Sequence, residues 1–304
     1  MIRFKNLTKR FEDGGGIADF SFEVEEGEVF GLVGSKGSGK TTALRMLMGF
    51  EYPTKGRCAI NGKDCVRAAS YLHRMTGYLP DGFSLPAVLT GRQFLRSNAE
   101  MRGMRNLENL FNTAKKLDLN IDRKIGDMTS ADVQKTGIVC ALMHNPPVIL
   151  LDNPFRNLDS RTRSVLVDLI LEEKEKGKMV ILTSDTVDIA DLTCDRVGLL
   201  DKGSIVYLGD VENMRENMYR SYLIQFGSSR SAMQFAKEAF EIKSMKDRNL
   251  VVSVQGELLP LVRALANYHV TSIEPVPLSL EETFVHIYGG LHAEHTDSET
   301  GFFD

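Results

Sequence analysis

The apolar residues of this chain fall into two rhythms. Short unbroken runs at residues 27–33, 148–152, 180–183 and 197–200 are too brief for helices and are bounded by polar or glycine-rich turns, so they predict buried strands. Between them apolar residues return at helical spacing. Strands alternating with helices predict an α/β layer built on a largely parallel sheet. From residue 83 to 145 the pattern turns mostly helical, through 94–101, 107–119 and 133–143, which predicts a helical subdomain inserted in the first domain, residues 1–217. A different order follows Tyr219: strand 222–226, helix 232–240, strands near 242–245 and 250–254, helix 258–268 and strand 270–274. That βαββαβ succession predicts a small α+β, ferredoxin-like module over residues 218–289. A helix with a capping box is expected to start at Ser279-Leu280-Glu281-Glu282, and an acidic, flexible tail closes the chain at 290–304.

The candidate chemistry sits at the end of the first strand. Gly34-Ser35-Lys36-Gly37-Ser38-Gly39-Lys40-Thr41 has the spacing Gly, four residues, Gly, Lys, Ser/Thr, and the helical pattern Thr42-Ala43-Leu44-Arg45-Met46-Leu47-Met48 follows directly. A glycine turn between a strand and a helix start aims successive backbone N–H groups at one point, where the helix dipole also favours negative charge. The glycines let the backbone close on phosphates, Lys40 neutralises the outer ones, and the Thr41 hydroxyl, next to Thr42, is placed to ligate magnesium. Lys36 reads as a surface charge on the rim of this anion site. A Gly/Ser-rich turn before a helix is common by itself, but the full pattern in this setting points to a nucleotide. The run Val148-Ile149-Leu150-Leu151-Asp152 ends in an acid that suits Mg²⁺ held through water beside such a loop.

Composition narrows the class. At 304 residues and 42% hydrophobic content the chain can bury a large core and form two domains. A formal charge of -4, with acidic and basic residues mixed, leaves no clustered basic surface for nucleic acid. No run approaches the ~20 apolar residues that span a bilayer, and Met1-Ile2-Arg3-Phe4-Lys5 opens into strand-like sequence, so a cytoplasmic location is expected. Cys58, Cys65, Cys140 and Cys194 lack the paired spacings of a zinc site or disulfide framework, and His286, His292 and His295 read as part of a solvated end.

Together these segments resemble the ATP-binding subunits of ABC transporters over nearly the whole length. Residues 34–41 match the Walker A loop and 148–152 the Walker B strand, with Asn157-Leu158-Asp159 shortly after. Phe11 falls where such proteins stack an aromatic on adenine. Cys194-Asp195-Arg196-Val197-Gly198-Leu199-Leu200-Asp201-Lys202-Gly203 resembles the strand and turn that follow the H-loop, and Ser279-Leu280-Glu281-Glu282-Thr283-Phe284 with the module before it resembles the C-terminal extension of the ABC-2 drug-export subgroup. The resemblance implies a P-loop NTPase fold, ATP and Mg²⁺ as cofactors, a separate membrane permease that holds the chain on the inner face of the cell membrane, and a head-to-tail dimer.

Departures from the family pattern cluster at the chemistry. Where the family places a catalytic Glu after the Walker B acid, this chain has Asn153, whose amide holds a water but cannot take its proton. The switch His falls on Asp185, and a carboxylate repels the phosphate oxygens a histidine would hold. Gly77-Tyr78-Leu79-Pro80-Asp81 resembles the Q-loop with Asp81 in place of Gln, still an oxygen donor for the metal. The signature aligns with Met128-Thr129-Ser130-Ala131-Asp132, where Ala131 adds a Cβ and Asp132 a charge. These changes imply weak hydrolysis and favour a heterodimer over a homodimer. The competing expectations are a working Mg-ATPase of an exporter and an ATP-sensing regulatory subunit. A translation-type ABC protein with tandem cassettes is disfavoured by the single phosphate loop.

Overall fold

The hairpin β1 (Ile2–Arg10) and β2 (Gly16–Val24) opens the chain, and buries Ile2, Phe4 and, past a register shift, Leu7. The computed structural model describes residues 1–12, 14–217 and 219–276. These form two compact units, Met1–Gly209 and a second from Asp210 onward.

In the first unit, β3 (Val29–Gly34), which is buried throughout, leads through the glycine turn into α1 (Lys40–Leu47). β4 (Lys55–Ile60) and the two-residue β5 (Lys63–Asp64) join the hairpin in an antiparallel sheet of order β2-β1-β4-β5. After α2 (Ala69–Met75) and β6 (Thr76–Leu79) come the three helices of the insertion, α3 (Gly91–Met101), α4 (Glu108–Lys116) and α5 (Ser130–Leu142). The chain returns through β7 (Val148–Leu151), α6 (Ser160–Glu175), β8 (Met179–Ser184), α7 (Val187–Thr193), β9 (Arg196–Asp201) and β10 (Ser204–Asp210). The second sheet has the order β10-β9-β3-β8-β7-β6, with β9, β3, β8, β7 and β6 parallel to their neighbours.

β3, β7 and β8 are buried at every residue, as strands covered on both faces must be, and that is why their sequences are unbroken apolar runs. The largely parallel sheet expected from the sequence is the six-stranded one, and the antiparallel four-stranded sheet is a second. Phe22 joins them, stacking on Phe4 at 4.3 Å and on Phe30 of β3 at 4.6 Å between ring centroids. The insertion shares the core of the parallel sheet, with Leu95, Ala99, Leu110, Ala114 and Ile138 in one cluster with Leu79, Leu151 and Leu166. Two of its three helices start where the sequence supplies caps, while α4 begins after Leu107 without one. Thr90 and Gln93 form a capping box for α3, and Thr129 and Asp132 one for α5.

In the second unit, α8 (Val211–Asn217) precedes β11 (Tyr219–Phe226), α9 (Ser229–Phe235), β12 (Glu241–Lys246), β13 (Asn249–Gln255), α10 (Leu259–Leu265) and β14 (Val270–Val276). The antiparallel sheet order β12-β13-β11-β14 places the two outer strands beside the two central ones in the ferredoxin-like manner. Its core is Phe226, Phe235, Leu250, Val252 and Leu261. Helix α9 ends at Phe235 rather than 240, because turns after it bring Phe240 back to stack on Phe235 at 5.7 Å. The helix expected at Ser279, the tail and the three late histidines lie outside the described residues.

Among the described residues no helix is long and apolar enough to cross a membrane.

Candidate nucleotide site

The carboxyl ends of β3, β7 and β8 open on one cleft of about 500 Å³, the edge of an open α/β sheet where ligands bind. The glycine turn forms one wall. A Cβ on Gly34 would lie 2.5 Å from both Ser38 Oγ and Leu200 O, and on Gly39, at φ +103°, it would lie 2.3 Å from Ile17 Cγ2 and 2.9 Å from Gly16 O. Only glycine fits either place. Gly39 precedes α1 with no side-chain cap, so the first N–H groups of that helix are left for another acceptor. Ser38 Oγ is buried without a partner, while Ser35, Lys36 and Gly37 are exposed at the turn.

Lys40 is 5% exposed, and its ammonium reaches Gly34 O at 2.6 Å, Ser35 O at 2.9 Å and Asp185 Oδ1 at 2.9 Å. Asp152, just past β7, is fully buried; it accepts from the Thr183 hydroxyl at 2.6 Å through Oδ1, and its Oδ2 has no partner. Burial pushes the Asp152 carboxyl above its ordinary value, and the Thr183 and Thr41 hydroxyls beside it draw it back. An unpaired buried carboxylate oxygen near the exposed Thr41 of the cleft wall is a hard oxygen set of the kind magnesium takes, with waters and phosphates filling the remainder.

Across the cleft, Asn153 holds a left-handed backbone, φ +49°, with its N–H on Thr183 Oγ1 at 2.9 Å and its carbonyl accepting from Gln134 Nε2 at 3.3 Å. Its side-chain amide donates to Asp81 Oδ2 at 3.2 Å, and Arg156 Nη1 takes Asp81 Oδ1 at 2.7 Å. Both Asp81 oxygens are therefore engaged within the protein, and the Asp81 carboxylate holds the Arg156 guanidinium above its ordinary value.

The cleft brings together Lys36, Gly37, Gly39, Lys40, Thr41, Thr42, Asp81, Asn153 and Asp185. Phe11 does not line it: the ring is 37% exposed beneath the Lys9 ammonium, although the Phe11 N–H donates to Gly15 O, next to Gly16 of the cleft wall. Nor do Thr129, Ser130, Ala131 and Asp132, which build the start of α5. Thr129 caps that helix, and the Asp132 carboxylate accepts from the Thr129 N–H at 3.3 Å and pairs with Arg123 at 3.8 Å. Sequence reasoning passed over Arg156, Arg163 and Thr183. Of these, Thr183 left a signal, a hydroxyl inside an otherwise apolar buried strand that must find a polar partner.

A glycine turn that wraps a helix start around a lysine, with a buried acid at the end of a neighbouring parallel strand, defines a P-loop nucleotide-binding domain. The ABC transporter family profile matches residues 17–156. Over 232 residues the chain is 35% identical to the uncharacterized ABC transporter ATP-binding protein MJ1023 of Methanocaldococcus jannaschii, covering 73% of this chain and 82% of that one. It is 28% identical over 297 residues to the uncharacterized ABC transporter ATP-binding protein YhcH of Bacillus subtilis, covering 95% of this chain and 96% of the other. The solved dimeric structure of MJ0796, a bacterial ABC transporter cassette, shares its fold with a TM-score of 0.64 at 23% identity, over 69% of this chain and 99% of that one. The chain belongs to the ATP-binding proteins of ABC transporters.

Proposed function

We propose that this chain is the nucleotide-binding subunit of an ABC-2 type export transporter that couples ATP binding, with slow hydrolysis, to a separate membrane permease. The observation that carries the slow turnover is the arrangement at Asn153 and Asp185. The Asn153 amide is turned to Asp81 and has no basic atom for a water proton, and Asp185 brings a negative charge to the lysine that serves the phosphates. Residues 34–42 bind the phosphates, and Phe11 stacks on adenine. Mg²⁺, held by the Thr41 hydroxyl and Asp152, supplies the neutralising charge on the phosphate oxygens. Asp81 serves the metal only after exchanging its bonds to Arg156 and Asn153.

Cassettes of this family dimerise and act with permeases, and the partner favoured here is a second, intact cassette. A heterodimer lets an intact signature or catalytic Glu come from the other chain. The permease meets residues 83–94, where Val88 stands 83% exposed beside Phe83, Leu85, Leu89 and Phe94. That contact would hold the chain at the inner face of the cell membrane. The regulatory alternative, a subunit that senses ATP without turning it over, is supported by the same Lys40–Asp185 pair. Purification with the native membrane complex should return a permease and a second cassette, and cysteines placed in residues 83–94 should crosslink to the permease. Recovery without any membrane subunit, or capture only from the C-terminal module, would overturn the reading.

A further inference from the structure

An ammonium has three N–H donors; two of those of Lys40 are hydrogen-bonded, and its charge is paired with a carboxylate. Two go to carbonyls of its own loop, Gly34 and Ser35, and so travel with the loop. The ammonium charge meets an anion from a different part of the chain, Asp185 Oδ1 at 2.9 Å, on the loop between β8 and α7. A carboxylate oxygen at that distance presents to the lysine what a terminal phosphate oxygen presents: a hard, charged acceptor. Of the other cations of the cleft wall, Arg156 is held by Asp81 at 2.7 Å, Arg163 donates through Nε to Leu158 O at 3.0 Å, and Lys36 is exposed at the turn. Among the described residues Asp185 is the one carboxylate paired with Lys40.

We infer that Asp185 is a specificity-determining residue that stands in for the outermost phosphate, so that the site takes a nucleoside diphosphate in preference to a triphosphate. The inference rests on the nucleotide-site reading above. A diphosphate lies along the loop N–H groups and leaves Asp185 paired with Lys40. A triphosphate must expel the carboxylate or sit beside it. Two negative charges about 5 Å apart, in a cleft between water-like and half that dielectric constant, weaken binding roughly four- to twentyfold. The Asp185 side chain is 54% exposed, so it can swing into water, and the preference is a bias rather than a bar.

Calorimetry on the full chain with Mg-ADP and Mg-ATP tests this directly, using the parent, Asp185→Asn and Asp185→Ala. The parent should bind ADP at least as tightly as ATP. Asp185→Asn keeps the shape and removes the charge, and should tighten ATP about tenfold while moving ADP less than threefold; Asp185→Ala should shift in the same direction. The deciding quantity is the ATP-to-ADP affinity ratio. A parent that binds ADP at least as tightly as ATP, with a shift of at least threefold toward ATP in both variants, supports the role of Asp185; a parent that prefers ATP, or any smaller shift, overturns it. If neither nucleotide bound the parent or either variant, the nucleotide-site reading would itself fail, and the inference with it.

Discussion

Asn153→Glu looks like a repair, since it puts back the acid the family carries, but the structure makes it a costly one. The Asn153 backbone is left-handed, a conformation Asn tolerates and a longer side chain resists by about 1–2 kcal/mol. Relaxation is blocked on both sides, because the N–H is held by Thr183 Oγ1 and the carbonyl by Gln134 Nε2. Losing the amide bond to Asp81 removes about 0.5–1.5 kcal/mol more. The new carboxylate then faces Asp81, a like-charge contact of about 1 kcal/mol or more at 4 Å, partly offset by Arg156 on the same carboxylate. The variant should therefore be less stable by about 2–4 kcal/mol in urea unfolding, within a typical stability of about 5–15 kcal/mol, so it still folds. Adding Asp81→Gln should return about half of that loss. Turnover should rise little, because Asp185 still faces the phosphates, and more when Asp185→His is added. An Asn153→Glu chain within about 0.5 kcal/mol of the parent, the usual spread of neutral surface changes, would refute this account of the position.

Lys40→Ala should weaken Mg-ATP by about tenfold to a hundredfold in calorimetry, the loss of a charge-assisted contact of about 1.5–3 kcal/mol, and equal affinity would remove the lysine from the phosphates. Phe11→Ala should cost about 1–3 kcal/mol of ATP affinity if the ring stacks on adenine, and an unchanged dissociation constant would displace it from that role. His144 is held down to about 4 from 6.5, first by burial and then by Arg102, so the unfolded chain takes up that proton first. Its contribution to stability is full above pH ~6.5 and is lost as the pH falls toward 4. Urea midpoints of the parent and His144→Gln should converge over that window, and parallel profiles would contradict the assignment.

The parallel strands and the phosphate loop were legible because burial on both faces and a glycine turn each leave a local pattern. β1 and β2 were harder to place, since they are half exposed and their register shifts between Phe4 and Leu7, which blurs the alternation. The ion pairs of the cleft were not legible at all: Lys40–Asp185 and Arg156–Asp81 join residues far apart in sequence that meet only once β3, β6, β7 and β8 are side by side. Read alone, Asp185 signalled repulsion toward phosphate; the fold adds its attraction to Lys40. Thr129 and Asp132 show the reverse case, a motif read for its chemistry whose geometry is that of a helix cap. Nothing local in Phe11 told that its ring would lie outside the cleft wall.

We propose a nucleotide site whose chemistry is weakened at several parts of one step. Losing one preorganised transition-state group typically costs roughly 10²–10³ in rate, and losses within a single catalytic unit do not simply add. The direct measurement is steady-state hydrolysis of Mg-ATP by the purified chain, freed of contaminating ATPases and shown by calorimetry to bind nucleotide. The chain should bind nucleotide and turn it over well below ~1 per second, the lower end of typical enzyme rates; hydrolysis at or above that rate would refute the weakened site.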